Sequence, residues 1–186
     1  MLLAAGVAWL PLPGESVVLS AHRDMLNIRK AQQEDCPSIE RVHVEAVMAI
    51  RTVLYSQEEI EAWAIPKKRE SYLQSIRSKE FYVAEESGEI VGFGVLNQEN
   101  GEVEAVYVSP EVTRHGIGLQ LLRKLEERAR VLGLNILSLN ASLNAVPFYE
   151  RAGFTPQGES MYRLASGVEI RCVPMVKSMG SGAGTN

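Results

Sequence analysis

The stretch Val106-Tyr107-Val108-Ser109-Pro110, running into Thr113-Arg114-His115-Gly116-Ile117-Gly118, constrains the fold more than any other part of the chain. A run of β-branched and aromatic residues that stops at a proline reads as the end of a strand. The glycines after it open directly into a helix. From Ile117 to about Leu132 the apolar residues Ile117, Leu121, Leu122, Leu125, Ala129 and Leu132 recur at helical spacing, and Arg123, Lys124, Glu126, Glu127, Arg128 and Arg130 cover the rest of the surface. The first backbone N–H groups of such a helix have no partner within it, and the helix dipole places partial positive charge there. Gly116 and Gly118 carry no Cβ to hold a ligand away from that backbone. The turn is therefore a cradle for a phosphate or pyrophosphate.

Three kinds of phosphate site compete for this turn. A P-loop requires G-x-x-x-x-G-K-[ST], and the chain contains neither Gly-Lys-Ser nor Gly-Lys-Thr. A dinucleotide fingerprint requires a third glycine, where Leu121 stands, and an acidic residue about 20 positions on, where the segment around Leu137 to Leu139 offers none. The third is the coenzyme A pyrophosphate site of the GNAT acetyltransferases, [QR]-x-x-G-x-[GA]. Thr113-x-x-Gly116-x-Gly118 resembles it except that Thr stands in the first position.

A second segment favours the third reading. Asn140-Ala-Ser-Leu-Asn-Ala-Val-Pro-Phe-Tyr-Glu-Arg-Ala-Gly-Phe154 resembles the A-S-x-N-A-x-x-F-Y-E-x-x-G-F signature of the same family. Leu134 to Leu139 ahead of it reads as a strand, and Ala145 to Ala152 as a short helix stopped by Gly153. The resemblance spans about Met25 to Lys177, with its sharp motifs between Val106 and Phe154. It implies an α/β (α+β) GNAT fold: a mixed central sheet splayed between two parallel strands and flanked by helices.

The remaining elements follow from local signals. Leu26 to Lys30 is a short strand. Asp35 is placed to N-cap a helix running to about Ile50, with Pro37 in its first turn. Ser56-Gln-Glu-Glu59 matches a capping box opening a helix that ends near Ile65-Pro66. Lys67 to Ser78 reads as a third helix. Phe81 to Glu85 and Ile90 to Leu96 alternate around Ser87-Gly88 as a hairpin. A turn at Asn100-Gly101 leads to the strand Val103 to Ser109, and Val168 to Val176 is the last strand. Residues 1–24 read as an extension, 25–177 as one domain, and 178–186 as a flexible tail of linker composition.

Composition narrows the functional classes. The 186 residues, 46% hydrophobic, suit one domain with a full core. No apolar run approaches the roughly 20 residues that span a bilayer. Cys36 and Cys172 read as free thiols in a reducing compartment, and His22, His43 and His115 are scattered, so neither a disulfide framework nor a metal site is expected. The net charge of −4, without a Lys/Arg cluster, gives no nucleic-acid footprint. A cytoplasmic protein is expected, with a homodimer left open.

The resemblance then assigns roles, with acetyl-CoA as acyl donor and a small-molecule or protein amine as acceptor. The splayed strands would be Val103 to Ser109 and Leu134 to Leu139, with the Val108 N–H polarising the thioester carbonyl. Val106, Tyr107, Val108, Thr113, Arg114, His115, Gly116, Ile117, Gly118, Leu119, Ser142 and Asn144 form the expected cofactor site. Tyr149, in Phe-Tyr-Glu, is the expected general acid for the leaving thiolate, against an alternative as core packing. Glu102 and Glu104, at i and i+2 on a strand, share a face as candidate bases. Ser142 and Asn144 could instead cap the following helix. His43, Tyr55 and Trp63 fall in the acceptor region, where His43 reads as a packed core residue. The acidic pair and the net charge favour a cationic small amine. The competing functional class is a GNAT-fold acetyl-CoA-binding sensor or structural module that transfers nothing.

Overall fold

A computed structural model describes residues 26–112 and 116–180. The expected extension at 1–24 lies outside them, as does the tail beyond Gly180. Strand β1 (Asn27–Lys30) is followed by helices α1 (Cys36–Met48), α2 (Gln57–Ala64) and α3 (Arg69–Ser78). Strands β2 (Glu80–Glu86), β3 (Glu89–Asn97) and β4 (Glu102–Val108) come next, then α4 (Ile117–Val131), β5 (Ile136–Ala141) and α5 (Val146–Arg151). The chain closes with β6 (Thr155–Pro156), β7 (Ser160–Arg163) and β8 (Glu169–Ser178). The sheet order is β1-β2-β3-β4-β5-β8-β6, with β7 paired to the other half of β8. All neighbours are antiparallel except β4 and β5, so the sheet is mixed as expected. No described helix is long and apolar enough to cross a membrane.

Two cores lie on opposite faces of this sheet. α1, α2 and α3 cover one through Ile39, Val42, Trp63 and Tyr72. α4 and α5 cover the other through Ile117, Leu121, Leu122, Leu125 and Tyr149. The stripe read on α4 is the buried face, and each of its four largest aliphatics contributes about 1.5–3 kcal/mol by leaving water. Two residues read in this stretch depart from the pattern. Leu132, counted in the stripe, is 42% exposed just past the last turn. Glu126, counted as surface, is buried beneath Lys177, whose Nζ donates to it at 2.7 Å and to Ala152 O at 2.6 Å. That ammonium ties α4, α5 and β8 together.

Local signals are partly overridden. The capping box is complete: Ser56 Oγ accepts from Glu59 N–H at 3.2 Å, and Glu59 accepts from Ser56 N–H at 2.6 Å. Asp35 occupies the N-cap of α1 but does not cap it. Its carboxylate instead accepts from Gln32 N–H at 2.7 Å and from Arg29 at 2.7 and 2.9 Å. Helix α3 begins at Arg69, so Lys67 belongs to the preceding link. Ser178 ends β8, and Met179 is buried in the α4-side core with its N–H on Asn135 O at 2.8 Å. The expected tail boundary at 178 is thus corrected to a point beyond Met179. Cys36 and Cys172 are both free and buried.

Candidate active site

β4 carries the site, and its register against β3 slips. Val95 opposes Ala105 while Leu96 opposes Val103, which leaves Glu104 as an extra residue, a β-bulge. Val103 therefore joins Val106 and Val108 in the core under α4, whereas Ala105 and Tyr107 belong to the core under α1 and α2. By alternation Glu102 then lies on Tyr107's face, opposite Val108. Regular spacing would have put Glu102, Glu104, Val106 and Val108 on one face, and the bulge overturns that. Both carboxylates still lie near the Tyr162 phenol on β7, which burial and then their charges push above its ordinary value.

The backbone of β4 alternates as well. Ser109 N–H donates to Val91 O at 2.8 Å. In an antiparallel ladder the same side is used every second residue, so Tyr107 and Ala105 bond to β3. The N–H and C=O groups of Val106 and Val108 turn the opposite way, toward β5. Tyr107, expected among the cofactor residues, thus directs its main chain to β3. Its ring stacks on Phe93 at 5.3 Å between centroids, and its hydroxyl accepts from Trp63 Nε1 at 3.0 Å.

Among the described residues β4 and β5 share one register pair, Glu102 with Ser138, secured by Ser138 N–H on Gly101 O at 3.0 Å. Beyond it the parallel strands splay. Gly101 sits at this junction with φ 71°, where a Cβ would fall 2.6 Å from Ile136 O. Only glycine fits there.

The mouth of the gap is the start of α4. Gly116 is its N-cap at φ 74°, with open space where a Cβ would stand. The first helical bond is Gln120 N–H to Gly116 O at 3.0 Å. The N–H groups of Ile117, Gly118 and Leu119 therefore have no acceptor within the helix. Thr113, Arg114 and His115 lie outside the described residues.

Tyr149 is wholly buried, in the same core as Val106, Val108, Leu139 and Ala141. Its ring meets Phe148 and Phe154 edge-on at 4.9 and 5.7 Å, and its hydroxyl has no hydrogen-bond partner among the described residues. Burial pushes the phenol well above its ordinary value. Ser142 is equally buried, and its Oγ also lacks a partner among the described residues. Neither Ser142 nor Asn144 caps α5, whose N-cap is Ala145 without a side-chain bond.

The two carboxylates differ. Glu104 accepts from Lys79 Nζ at 2.5 and 2.6 Å and from Asn97 Nδ2 at 3.1 Å, so its charge is compensated. Among the described residues Glu102 meets only an amide, Asn100 Nδ2 at 3.4 Å, in the bonds to its carboxylate. Burial, then the nearby Glu104, raise it above the usual carboxylate value.

On the Tyr107 side a cavity of about 240 Å³ is lined by His43, Trp63, Ile65, Lys67, Tyr162 and Leu164 among others. His43 is packed as expected, edge-on to Tyr107 at 5.0 Å, yet it also walls the cavity. Burial, then Lys67, hold it down at about 4, so its ring is neutral. Tyr55 is a structural tie: its hydroxyl donates to Arg171 O and accepts from Leu143 N–H, each at 2.8 Å. Lys67, Lys79 and Tyr162 were not visible in the sequence as site residues. Lys67 and Lys79 flank a helix as any solvated lysines would, and Tyr162 lies on an exposed four-residue strand. Among the described residues no three His, Cys, Asp or Glu side chains group as metal ligands.

Known proteins resemble this chain over most of its length. The model of the acetyltransferase (GNAT) domain matches residues 52–179. The uncharacterized N-acetyltransferase YafP of Escherichia coli is 29% identical over 130 residues, covering 69% of this chain and 81% of that protein. The peptidyl-lysine N-acetyltransferase YiaC of the same organism is 30% identical, covering 68% and 82%. A GCN5-related N-acetyltransferase from Rhodopseudomonas palustris superposes with a TM-score of 0.77 at 24% identity, over 88% of this chain and 99% of that one. The PaiA N-acetyltransferase from Thermoplasma acidophilum, in complex with coenzyme A, gives 0.68 at 24% identity, over 83% and 99%.

Proposed function

The chain belongs to the GNAT family of acetyltransferases, and on that premise we propose that it moves an acetyl group from acetyl-CoA to a primary amine by direct attack in a ternary complex. The observation that carries this reading is the gap between β4 and β5, into which Val106 and Val108 turn their amides. A strand-like pantetheine arm suits such an edge, because it offers the hydrogen-bonding partners that β5 withdraws. The buried groups fit the same ligand: the Tyr149 hydroxyl and Ser142 Oγ lack partners, and such groups cost free energy until something meets them. At the mouth, the N–H groups of Ile117, Gly118 and Leu119 suit a pyrophosphate. Residues of one domain, about 25–179, supply every part.

Acetyl-CoA supplies an activated acyl carbon and a thiolate leaving group. The Val108 N–H is the donor for the carbonyl oxygen as charge builds on it. Tyr149 holds the proton for the thiolate. A phenol pushed above its ordinary value stays protonated at working pH, as a general acid must. Glu102, raised by burial and by Glu104, takes the proton from the incoming ammonium directly or through water. Glu104 is bonded to Lys79 and serves to raise Glu102 rather than to accept the proton.

The test is a thermal-shift comparison of acetyl-CoA, NAD and ATP, because a ligand of the folded state alone raises the melting temperature. Acetyl-CoA alone should stabilise the chain, and Gly118→Asp, which sets a carboxylate against the pyrophosphate, should weaken that binding by more than about tenfold, or about 1.4 kcal/mol. No shift with millimolar acetyl-CoA would end the proposal.

A further inference from the structure

The cavity beside Tyr107 has a polarity opposite to the one the acidic pair suggested. Trp63, Ile65, Pro66 and Leu164 make its wall largely apolar. Set into that wall is Lys67, which has no ion-pair partner among the described residues. Glu104, whose field it feels, is already bonded to Lys79. His43 stands in the same wall, 1% exposed, with Nε2 unpartnered and Nδ1 3.3 Å from the Tyr72 hydroxyl. With Tyr72 donating to Nδ1, the neutral ring carries its proton on Nε2. The cavity wall thus holds an ammonium without an ion-pair partner among the described residues, backed by a buried imidazole whose Nε2 has no partner among them.

Building on the acetyl-transfer reading above, we propose that Lys67 Nζ and His43 Nε2 form an anion subsite, and that the acceptor is a small, largely apolar primary amine carrying a carboxylate. A half-buried ammonium without a counter-ion is costly, and a bound carboxylate supplies the missing charge. Burial holds Lys67 below its ordinary value, as expected for an ammonium awaiting an anion. A volume of about 240 Å³ lies below the roughly 300–1,000 Å³ of pockets for drug-sized ligands, which suits an acceptor of amino-acid size. Its apolar body rests on Trp63 and Leu164. Its amine is directed toward Glu102, since Tyr162 lines the same cavity and feels both carboxylates. The preference for a cationic amine drawn from the acidic pair is accordingly replaced: Lys79 compensates Glu104, and Lys67 adds a cation where the acceptor lies.

The experiment compares matched amines by release of free coenzyme A: leucine against 3-methylbutylamine, and phenylalanine against its amide and 2-phenylethylamine. Each is run on the full chain and on Lys67→Met and Lys67→Arg. The wild type should favour the carboxylate member of each pair by about tenfold or more in kcat/KM, the scale of a lost charged hydrogen bond. Lys67→Met should erase that preference mainly through KM while leaving the decarboxylated amines within about threefold, and Lys67→Arg should restore most of it. Equal or better rates with the decarboxylated amines, or a Lys67→Met loss shared by both members, would overturn the subsite. So would a chain that binds acetyl-CoA yet acetylates no carboxylate amine. The acetyl-CoA thermal shift, measured on the same preparations, keeps this outcome apart from failure of the transferase reading.

Discussion

Replacing Tyr149 by Phe should move stability and activity in opposite directions. The substitution keeps the ring and its edge contacts with Phe148 and Phe154 and removes a wholly buried hydroxyl that has no partner. Leaving a buried polar group unsatisfied costs about 1–3 kcal/mol, so its removal should stabilise the ligand-free protein by up to that amount. At roughly 2–4 °C per kcal/mol for a domain of this size, calorimetry should show a melting temperature higher by about 2 °C or more. Turnover with any accepted amine should fall by about 10², as for loss of a general acid. The defect should persist across neutral and mildly alkaline pH, because burial keeps the phenol protonated there. Saturating acetyl-CoA should narrow the stability difference, since only the wild type gains a partner for its hydroxyl. A mutant that melts lower would mean the hydroxyl is bonded in the free protein. Unchanged turnover would remove Tyr149 from the chemistry.

Three further outcomes follow from the site. Glu102→Gln should lower kcat/KM by about 10² or more and abolish the acidic limb of its pH profile; an unshifted limb would assign the base elsewhere. Gly101→Ala should destabilise by about 2 kcal/mol or more, combining a positive φ with a Cβ 2.6 Å from Ile136 O, read as a lowered denaturation midpoint in urea. His43 has a folded value of about 4 against an ordinary 6.5, so the unfolded chain binds the extra proton between those limits. Its contribution is complete above pH 6.5 and is lost as pH falls toward 4, about 3 kcal/mol at 1.36 kcal/mol per unit. His43→Leu should flatten stability over that window, and an unchanged slope would contradict a buried neutral ring.

Much of this was legible because it is local. The α4 stripe and the Ser56–Glu59 box are complete within a few residues, so no distant contact had to be known. The two glycine-bearing motifs are legible for the same reason. What the sequence hid depends on partners outside the element in which each residue was read. Asp35 is drawn from its cap by Arg29 across a strand-to-helix link. Glu104 meets Lys79, 25 residues away, and its status as an extra residue exists only relative to β3. Strands β6 and β7 are mostly exposed and lack apolar alternation, so only their pairing with β8 defines them.

The bulge at Glu104 has a consequence for how β4 tolerates change in length. Val103 and Val106 reach the same core although three positions separate them, a spacing no regular strand allows. The strand is read in two frames, one upstream of Glu104 and one downstream. Deleting that single residue would merge the frames and retain every other side chain. Val103 and Ala105 would become neighbours that already face opposite ways, so Val103 would stay under α4 and Glu102 on the Tyr107 face. The face on which the base lies is therefore set by the bulge itself: at the present length, a strand without it would turn Glu102 to the side of Val108.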